Sequence, residues 1–191
     1  MSYLSIRSNN SQHELSRSMR SKKTFLTIMW GYMLFSVASA FFASSLNFGE
    51  LAQAIGLVPT VRALSKLSSS YGQIANYFLL MYSAFPVTLF LMMVAYPTRH
   101  AFIDGVSKQQ KVLSIIFFLI GILLLGWFAF LLPPDHVYVG TRMKIFMSLA
   151  SGGKFGLGVI YGLILVSLAM LLCVTLLTLH DLSLRHRNSG A

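Results

Sequence analysis

Residues 113–132 read LSIIFFLIGILLLGWFAFLL, a stretch of twenty residues without one charged side chain. The hydrocarbon core of a bilayer needs about 20 apolar residues in helical conformation to be crossed, and this stretch supplies them. Three other uncharged, apolar stretches reach spanning length, at 24–46, 76–96 and 155–179. The sequence therefore predicts an all-α, polytopic membrane protein, folded as a bundle of four transmembrane helices.

The composition leaves little room for anything besides these spans. Hydrophobic residues make up 55% of the 191 positions and charged residues 10%, which lies outside the range of soluble globular domains. We therefore predict one membrane domain at 24–182, with a basic tail at 1–23 and a short tail at 183–191. The first tail is polar and almost without apolar anchors, so we expect it to be disordered.

The distribution of positive charge predicts the orientation. Of the 15 lysines and arginines, ten lie in the two tails and the short loop between spans two and three, and five lie in the two longer loops. Loops with more Lys and Arg stay in the cytoplasm. We expect a multi-pass membrane protein with both termini cytoplasmic. The net charge of +10 then reflects contact with the lipid bilayer, and no nucleic-acid partner is expected.

The start of the chain allows a second interpretation. Lys22-Lys23, the apolar residues 24–37 and Ala38-Ser39-Ala40 also match the three parts of a signal peptide. Apolar and small residues continue through Phe41-Phe42-Ala43, which favours a retained span. Cleavage of this segment stays open as the alternative.

Small residues recur at helical spacing in two of the spans. Gly158 and Gly162 are four apart in span four, and Ser36, Ala40 and Ala43 lie in span one. Small residues let membrane helices approach closely. This pattern predicts either a seam packed inside the chain or a face for a second copy or a partner helix.

The first long loop contains its own helical pattern. Val61, Leu64, Leu67 and Tyr71 recur at helical spacing after Pro59, and proline is favoured in the first turn of a helix. The sequence predicts a short amphipathic helix in this outer loop. Its apolar residues are interpreted either as a contact surface for a partner or as an interfacial connector, and both interpretations stay open.

The residue types that could support catalysis do not form a recognisable set in this chain. The five acidic residues are spread over both predicted sides, and no nucleophile elbow, phosphate loop or zinc-protease motif is present. We expect no enzyme, no cofactor and no metal site. Transporters and channels usually keep ionisable residues at membrane depth, and the four uncharged spans argue against both classes.

Three short segments, together with the order of spans and loops, resemble a known family. They are 69–71 (SSY), 82–86 (YSAFP) and 140–147 (GTRMKIFM). The chain resembles the immunity proteins against pore-forming colicins of the colicin A type. It departs from them because the spacing from Tyr82 to Pro86 is one residue longer and the family's Lys or His between these positions is absent. The resemblance implies a four-span inner-membrane protein that blocks the pore-forming domain of a toxin.

Two hypotheses about function follow. In the first, the chain gives immunity to a pore-forming bacteriocin through helix–helix recognition of a membrane-embedded toxin domain. In the second, it is a structural subunit of a larger membrane complex, such as a conjugation, secretion or respiratory assembly. Uncharged spans with small-residue faces suit either kind of membrane-embedded protein partner.

Overall fold

The computed structural model describes the backbone of residues 3–67, 71–95, 107–131 and 153–188, and within these ranges the side chains of 22–65, 73–95, Ser107, 109–131 and 153–180. All regular structure in these ranges is helical. Four helices are long and apolar enough to cross a membrane, which confirms the predicted all-α fold with four candidate spans. Their apolar segments are Lys22–Ser45, Gln73–Ala95, Gln109–Leu131 and Lys154–His180.

Six α-helices, a 3₁₀ turn and a π-helical turn make up the described chain. In order they are α1 (Tyr3–Phe42), the 3₁₀ turn (Ala43–Ser45), α2 (Glu50–Gly56), α3 (Pro59–Leu67), α4 (Tyr71–Ala95), α5 (Lys108–Gly126), the π-helical turn (Trp127–Leu131) and α6 (Lys154–Asn188). Helix α5 begins at a capping box, because the Ser107 hydroxyl accepts from the Gln110 amide and the Gln110 side chain accepts from the Ser107 amide.

Helix α6 is the centre of the bundle. It packs against α1, α4 and α5, and α1 also packs against α4. Among the described residues, the backbone of α5 approaches neither α1 nor α4, so α6 is the helix that α5 packs against. Of the apolar segment of α6, 56% is buried, whereas the corresponding value for α5 is 11%. Helices α1, α4 and α6 therefore form a three-helix core, and α5 is peripheral.

Two short helices cover one end of this bundle, which we call the loop end (the end of α1 at Phe42 and the start of α6 at Lys154). Helix α3 packs against α4 and the π-helical turn, and α2 packs against α3 and α4. Pro59 is the first residue of α3, as the sequence predicts. Gly49 precedes α2 at φ +53°, a conformation that glycine adopts without the steric cost of a β-carbon.

Two boundaries differ from the sequence prediction. Residues 3–23, for which we expected disorder, continue α1 as helix from Tyr3. They contain neither glycine nor proline, and extending an existing helix needs no new nucleation. In addition, Tyr71 is the first residue of α4 and does not belong to the amphipathic helix, which ends at Leu67.

Candidate functional site

Ser36 lies where the three core helices meet. Its hydroxyl donates to the carbonyl oxygen of Gly158 on α6 at 2.6 Å and is 2.9 Å from the hydroxyl of Tyr77 on α4. Because serine has a single hydroxyl proton, Tyr77 is the donor in the second bond. The Tyr77 hydroxyl is also 3.5 Å from the carbonyl oxygen of Leu157. One buried serine thus links α1, α4 and α6 by uncharged hydrogen bonds.

The two glycines of span four fix the distance between α1 and α6. A β-carbon at Gly158 would lie 2.7 Å from the Cα of Val37, and one at Gly162 would lie 2.8 Å from the Oγ of Ser36. Both distances are shorter than a van der Waals contact. Only glycine allows this approach, and the approach brings the Ser36 hydroxyl within reach of the Gly158 carbonyl.

Further polar side chains bind the carbonyl groups at the end of α1. The Asn76 amide on α4 donates to the carbonyl oxygens of Ala43 and Leu46. The Lys154 ammonium on α6 is 2.9 Å from the Ser44 Oγ and 3.5 Å from the Phe41 carbonyl oxygen. The last carbonyl groups of a helix lack intrahelical partners, and a cation there also interacts favourably with the helix dipole.

A second set of bonds ties the peripheral helix α5 to the core at the loop end. The Tyr82 hydroxyl on α4 donates to the Ala129 carbonyl oxygen at 2.6 Å, and the Thr60 hydroxyl on α3 donates to that of Phe128 at 3.2 Å. Both acceptors lie in the π-helical turn, whose wider helical path changes the positions of its carbonyl groups. The rings of Tyr82 and Phe130 are 4.9 Å apart.

One buried hydroxyl is the exception to this satisfied interior. Tyr161 is fully buried on α6, and its ring meets that of Phe78 edge to face at 4.9 Å. Among the residues that the structure describes, its hydroxyl has no hydrogen-bond partner. An unsatisfied buried hydroxyl costs about 1–3 kcal/mol, so Tyr161 stabilises the core through its ring alone.

The small residues singled out in the sequence lie inside the protein. Gly158 and Gly162 are buried against α1, and Ser36, Ala40 and Ala43 are buried as well. The structure therefore brings the seam of span one and the glycine pair of span four together within one chain. A partner helix would reach this seam only if α1 and α6 separated.

The apolar residues of the amphipathic helix are also turned inward. Val61 and Leu64 are fully buried, whereas Arg62 is exposed. The side chains of Leu67 and Tyr71 lie outside the described residues. The described face of α3 is thus occupied by the bundle itself, and no exposed apolar surface remains at Val61 or Leu64 for a partner.

Sequence reasoning missed the polar residues of the three-helix core. Tyr32, whose hydroxyl donates to the Met81 carbonyl oxygen at 3.1 Å, joins Asn76, Tyr77 and Tyr82 in this group. A signal for them existed, because polar side chains within a membrane span usually face the bundle interior. None of these four side chains carries a charge, so the pattern of charged residues does not indicate them.

The site offers hydroxyl, amide and carbonyl groups and no set of metal ligands. No group of three or more His, Cys, Asp or Glu residues is close enough to hold a metal ion in the described part of the chain. Cys173 is buried with a free thiol. The hydroxyl, amide and carbonyl groups of the site bind one another between helices, so the site is part of the packed core.

No family model, no curated protein and no solved structure matches this chain. Of the segments that resemble colicin immunity proteins, 82–86 lies within α4, where the Tyr82 hydroxyl is bound to the π-helical turn. Residues 140–147, Ser69 and Ser70 lie outside the described residues, so the resemblance has no geometric counterpart in them.

Proposed function

We propose that this chain is a small bacterial inner-membrane protein that recognises another membrane-embedded protein, and that it gives immunity to a pore-forming bacteriocin. The exposed surface of α5 carries the proposal. From Val112 to Leu124 its exposed side chains are all apolar and large, with Phe117 and Leu123 each 72% exposed. The small residues of spans one and four and the apolar residues of α3, which the sequence predicted as candidate contacts for a partner, pack within the chain instead.

The peripheral position of α5 supports recognition by helix contact. Three helices already form a closed, hydrogen-bonded core without it, and α6 is its main neighbour. Association of helices in lipid depends on van der Waals packing and on hydrogen bonds between helices. A toxin's pore-forming helices would pack along the free side of α5, and the pore would fail to assemble.

Transport is a poorer explanation of the same features. The spans contain no charge at 24–46, 76–96, 113–132 and 155–179, and the polar groups of the core bind carbonyl groups of neighbouring helices. A conduit or relay usually keeps ionisable groups along its path. The uncharged interior therefore favours a protein that functions through contacts of its outer surface with another protein.

The test is expression in a strain that is sensitive to pore-forming bacteriocins, followed by challenge with toxins of several types. We expect survival against one type of toxin and killing by the others. In the double variant Phe117→Ala/Leu123→Ala protection should fall, while Phe90→Ala/Val94→Ala, which alters the equally exposed side of α4, should keep it. If every toxin killed the strain that expresses the unchanged protein, the immunity hypothesis would be wrong.

The same exposure of α5 also favours a second function, a structural subunit of a larger membrane complex. A helix with 11% of its apolar segment buried would gain packing area within an assembly. Native gels of membranes solubilised in mild detergent test this hypothesis. A band well above the mass of the 21.2 kDa chain that shifts in the α5 variant is expected. A single band at the monomer position would exclude a stable subunit.

The proposed orientation has both termini in the cytoplasm. Ten of the 15 basic residues precede span one, join spans two and three or follow span four, which supports this arrangement. Reporter enzymes fused after Ala191 check the prediction. A cytoplasm-specific reporter should be active there, and an active periplasm-specific reporter would reverse the orientation.

A further inference from the structure

One side of α6 stays open although this helix packs against three others. Gly158 packs against α1, and the side chain of Leu171 lies beside Gly121 of α5. The ring of Tyr161 meets α4 at Phe78. The side of α6 that these contacts leave, which we call the free stripe, is exposed or half-buried along its whole length. Its residues are Gly156, Ile160, Leu163, Ser167, Met170, Val174 and Leu177.

The free stripe is long and regularly spaced. Its residues follow one another in alternating steps of four and three positions, the spacing by which two helices pack as a left-handed coiled coil. A helix rises 1.5 Å per residue, so the stripe extends over about 32 Å, close to the thickness of the hydrocarbon core. A second helix is therefore able to follow it from one side of the bilayer to the other.

The residue types of the free stripe select the kind of neighbour, because the exposed side of any helix shows this spacing. One set of alternate positions holds Ile160, Ser167 and Val174, and the other holds Leu163, Met170 and Leu177. Parallel pairs of helices favour β-branched residues in the first set and leucine in the second, with one polar residue in the first set fixing the register. Membrane helices use the same left-handed geometry. The free stripe thus has the pattern of a parallel two-helix contact.

The exposed side of α5 has the spacing without this choice of residues. Its members are Leu113, Ile116, Ile120, Leu123 and Trp127. All of them are apolar, so no polar group fixes the register of a neighbour there. The pattern of a parallel pair is therefore a property of α6.

Ser167 is the polar residue of the free stripe, and its hydroxyl makes no hydrogen bond among the described residues. On the same helix, the Thr175 and Thr178 hydroxyls donate to carbonyl oxygens four residues earlier. Thr27 on α1 and Ser83 on α4 do the same. A hydroxyl both donates and accepts, and the bilayer core offers no water to bind it. Ser167 therefore has its hydrogen bond available for a neighbour at the same depth.

We propose that the free stripe binds a second copy of this chain, so that two α6 helices pack in parallel about a two-fold axis. Copies that insert with the same orientation are related by an axis along the membrane normal, which places each residue opposite its own counterpart. Ser167 lies midway along the apolar segment Lys154–His180. One Ser167 hydroxyl donates to the other at the centre of the contact, and Leu163 and Met170 pack against their counterparts on either side.

Disulfide cross-linking in native membranes tests the proposal. Cys173 is the only cysteine, and in a Cys173→Ala background Ser167→Cys and Met170→Cys should each give a product of twice the 21.2 kDa chain mass. Leu176→Cys is the matched control, because Leu176 is 43% exposed and Met170 41%, while the two lie about a third of a turn apart around the helix. We expect cross-linking about ten-fold faster at Met170, since a bound pair raises the effective concentration of the thiols.

A second measurement keeps the native cysteine. Copies that carry a donor or an acceptor fluorescent protein after Ala191 should show energy transfer in membranes at low expression. Leu163→Ala/Met170→Ala should abolish the transfer, because both side chains are exposed in the single chain and pack only in the pair. Phe117→Ala/Leu123→Ala, which alters α5, should leave the transfer unchanged.

Three outcomes overturn the proposal. They are the lack of a double-mass product from Ser167→Cys and Met170→Cys, equally fast cross-linking of Leu176→Cys, and unchanged energy transfer in Leu163→Ala/Met170→Ala. A cross-linked product of another mass would identify a different occupant of the free stripe and would also overturn it. The inference goes beyond the proposed function and does not rest on it. No toxin enters either measurement, so the two hypotheses fail separately.

Discussion

The Ser36 hydroxyl donates a 2.6 Å hydrogen bond to the backbone carbonyl oxygen of Gly158, where α1 and α6 approach each other closely. The bond exists because residue 158 has no β-carbon, which would lie 2.7 Å from the Cα of Val37. Close packing and hydrogen bonding therefore depend on one another at this point. Disturbing either one should loosen the three-helix core.

Replacing Gly158 with alanine should destabilise the protein by about 1–3 kcal/mol, the usual cost of overpacking. The obstructing atom belongs to the backbone of α1, so the two helices must move apart. Gly31→Ala is the matched control, because nothing lies within 4 Å of a β-carbon at Gly31. Unfolding by sodium dodecyl sulfate in mixed micelles measures both variants. Equal stability of the two would contradict the close contact.

The Ser36–Tyr77 bond should appear as a coupling energy in a double-mutant cycle. Ser36→Ala and Tyr77→Phe each remove one side of a bond that is 2.9 Å long in the structure. Hydrogen bonds between membrane helices contribute about 0.6 kcal/mol on average and about 1.7 at most, so we expect a coupling within this range. The reference substitution is Ser83→Ala, because the Ser83 hydroxyl donates to the carbonyl oxygen of Leu79 in its own helix. Strict additivity would show that the two hydroxyls do not interact.

Two Tyr→Phe substitutions should change stability in opposite directions. Tyr161→Phe removes a hydroxyl that lacks a partner among the described residues, and we expect a gain of about 1 kcal/mol. Tyr82→Phe removes the donor to Ala129 and should cost about 1 kcal/mol. Both variants keep the aromatic ring and are compared by the same unfolding measurement. A loss of stability in Tyr161→Phe would mean that its hydroxyl is satisfied.

A leucine on α3 and a leucine between α2 and α3 should differ in their effect on stability. Leu64 is fully buried, whereas Leu57, just before α3, is 78% exposed. Leu64→Ala should cost about 2–4 kcal/mol because it leaves a cavity, and Leu57→Ala should leave stability unchanged. Thermal unfolding in detergent gives the comparison. If Leu64→Ala proved harmless to stability, α3 would not be packed on the bundle as described.

Much of the architecture was accessible from the sequence because length and hydrophobicity are local properties. The four uncharged stretches match the four spanning segments, although the third begins earlier, at Gln109 instead of 113. The short helix after Pro59 follows from its spacing and from the place of proline at helix starts. The helical state of residues 3–23 was missed, since a lack of apolar anchors predicts poor packing and does not exclude helix.

The candidate site was predicted in its residue types and not in its partners. The pattern of Gly158, Gly162, Ser36 and Ala40 marks faces that admit a close neighbour, but the same pattern suits a second chain. Only the fold shows that these faces meet each other. The same holds for Val61 and Leu64. An amphipathic pattern indicates which face of a helix is buried, but it does not indicate which surface that face packs against.

The sequence by itself determined that the chain has four uncharged stretches long and apolar enough to cross a membrane as helices, because crossing lipid requires long apolar segments whatever their neighbours. Tertiary structure alone decided which surfaces remain free. It paired the small residues of α1 with the glycines of α6, turned α3 onto the bundle and left α5 at the periphery. These choices depend on hydrogen bonds and close contacts between residues far apart in the chain, such as Ser36 and Gly158, which are 122 positions apart, and no local pattern encodes them.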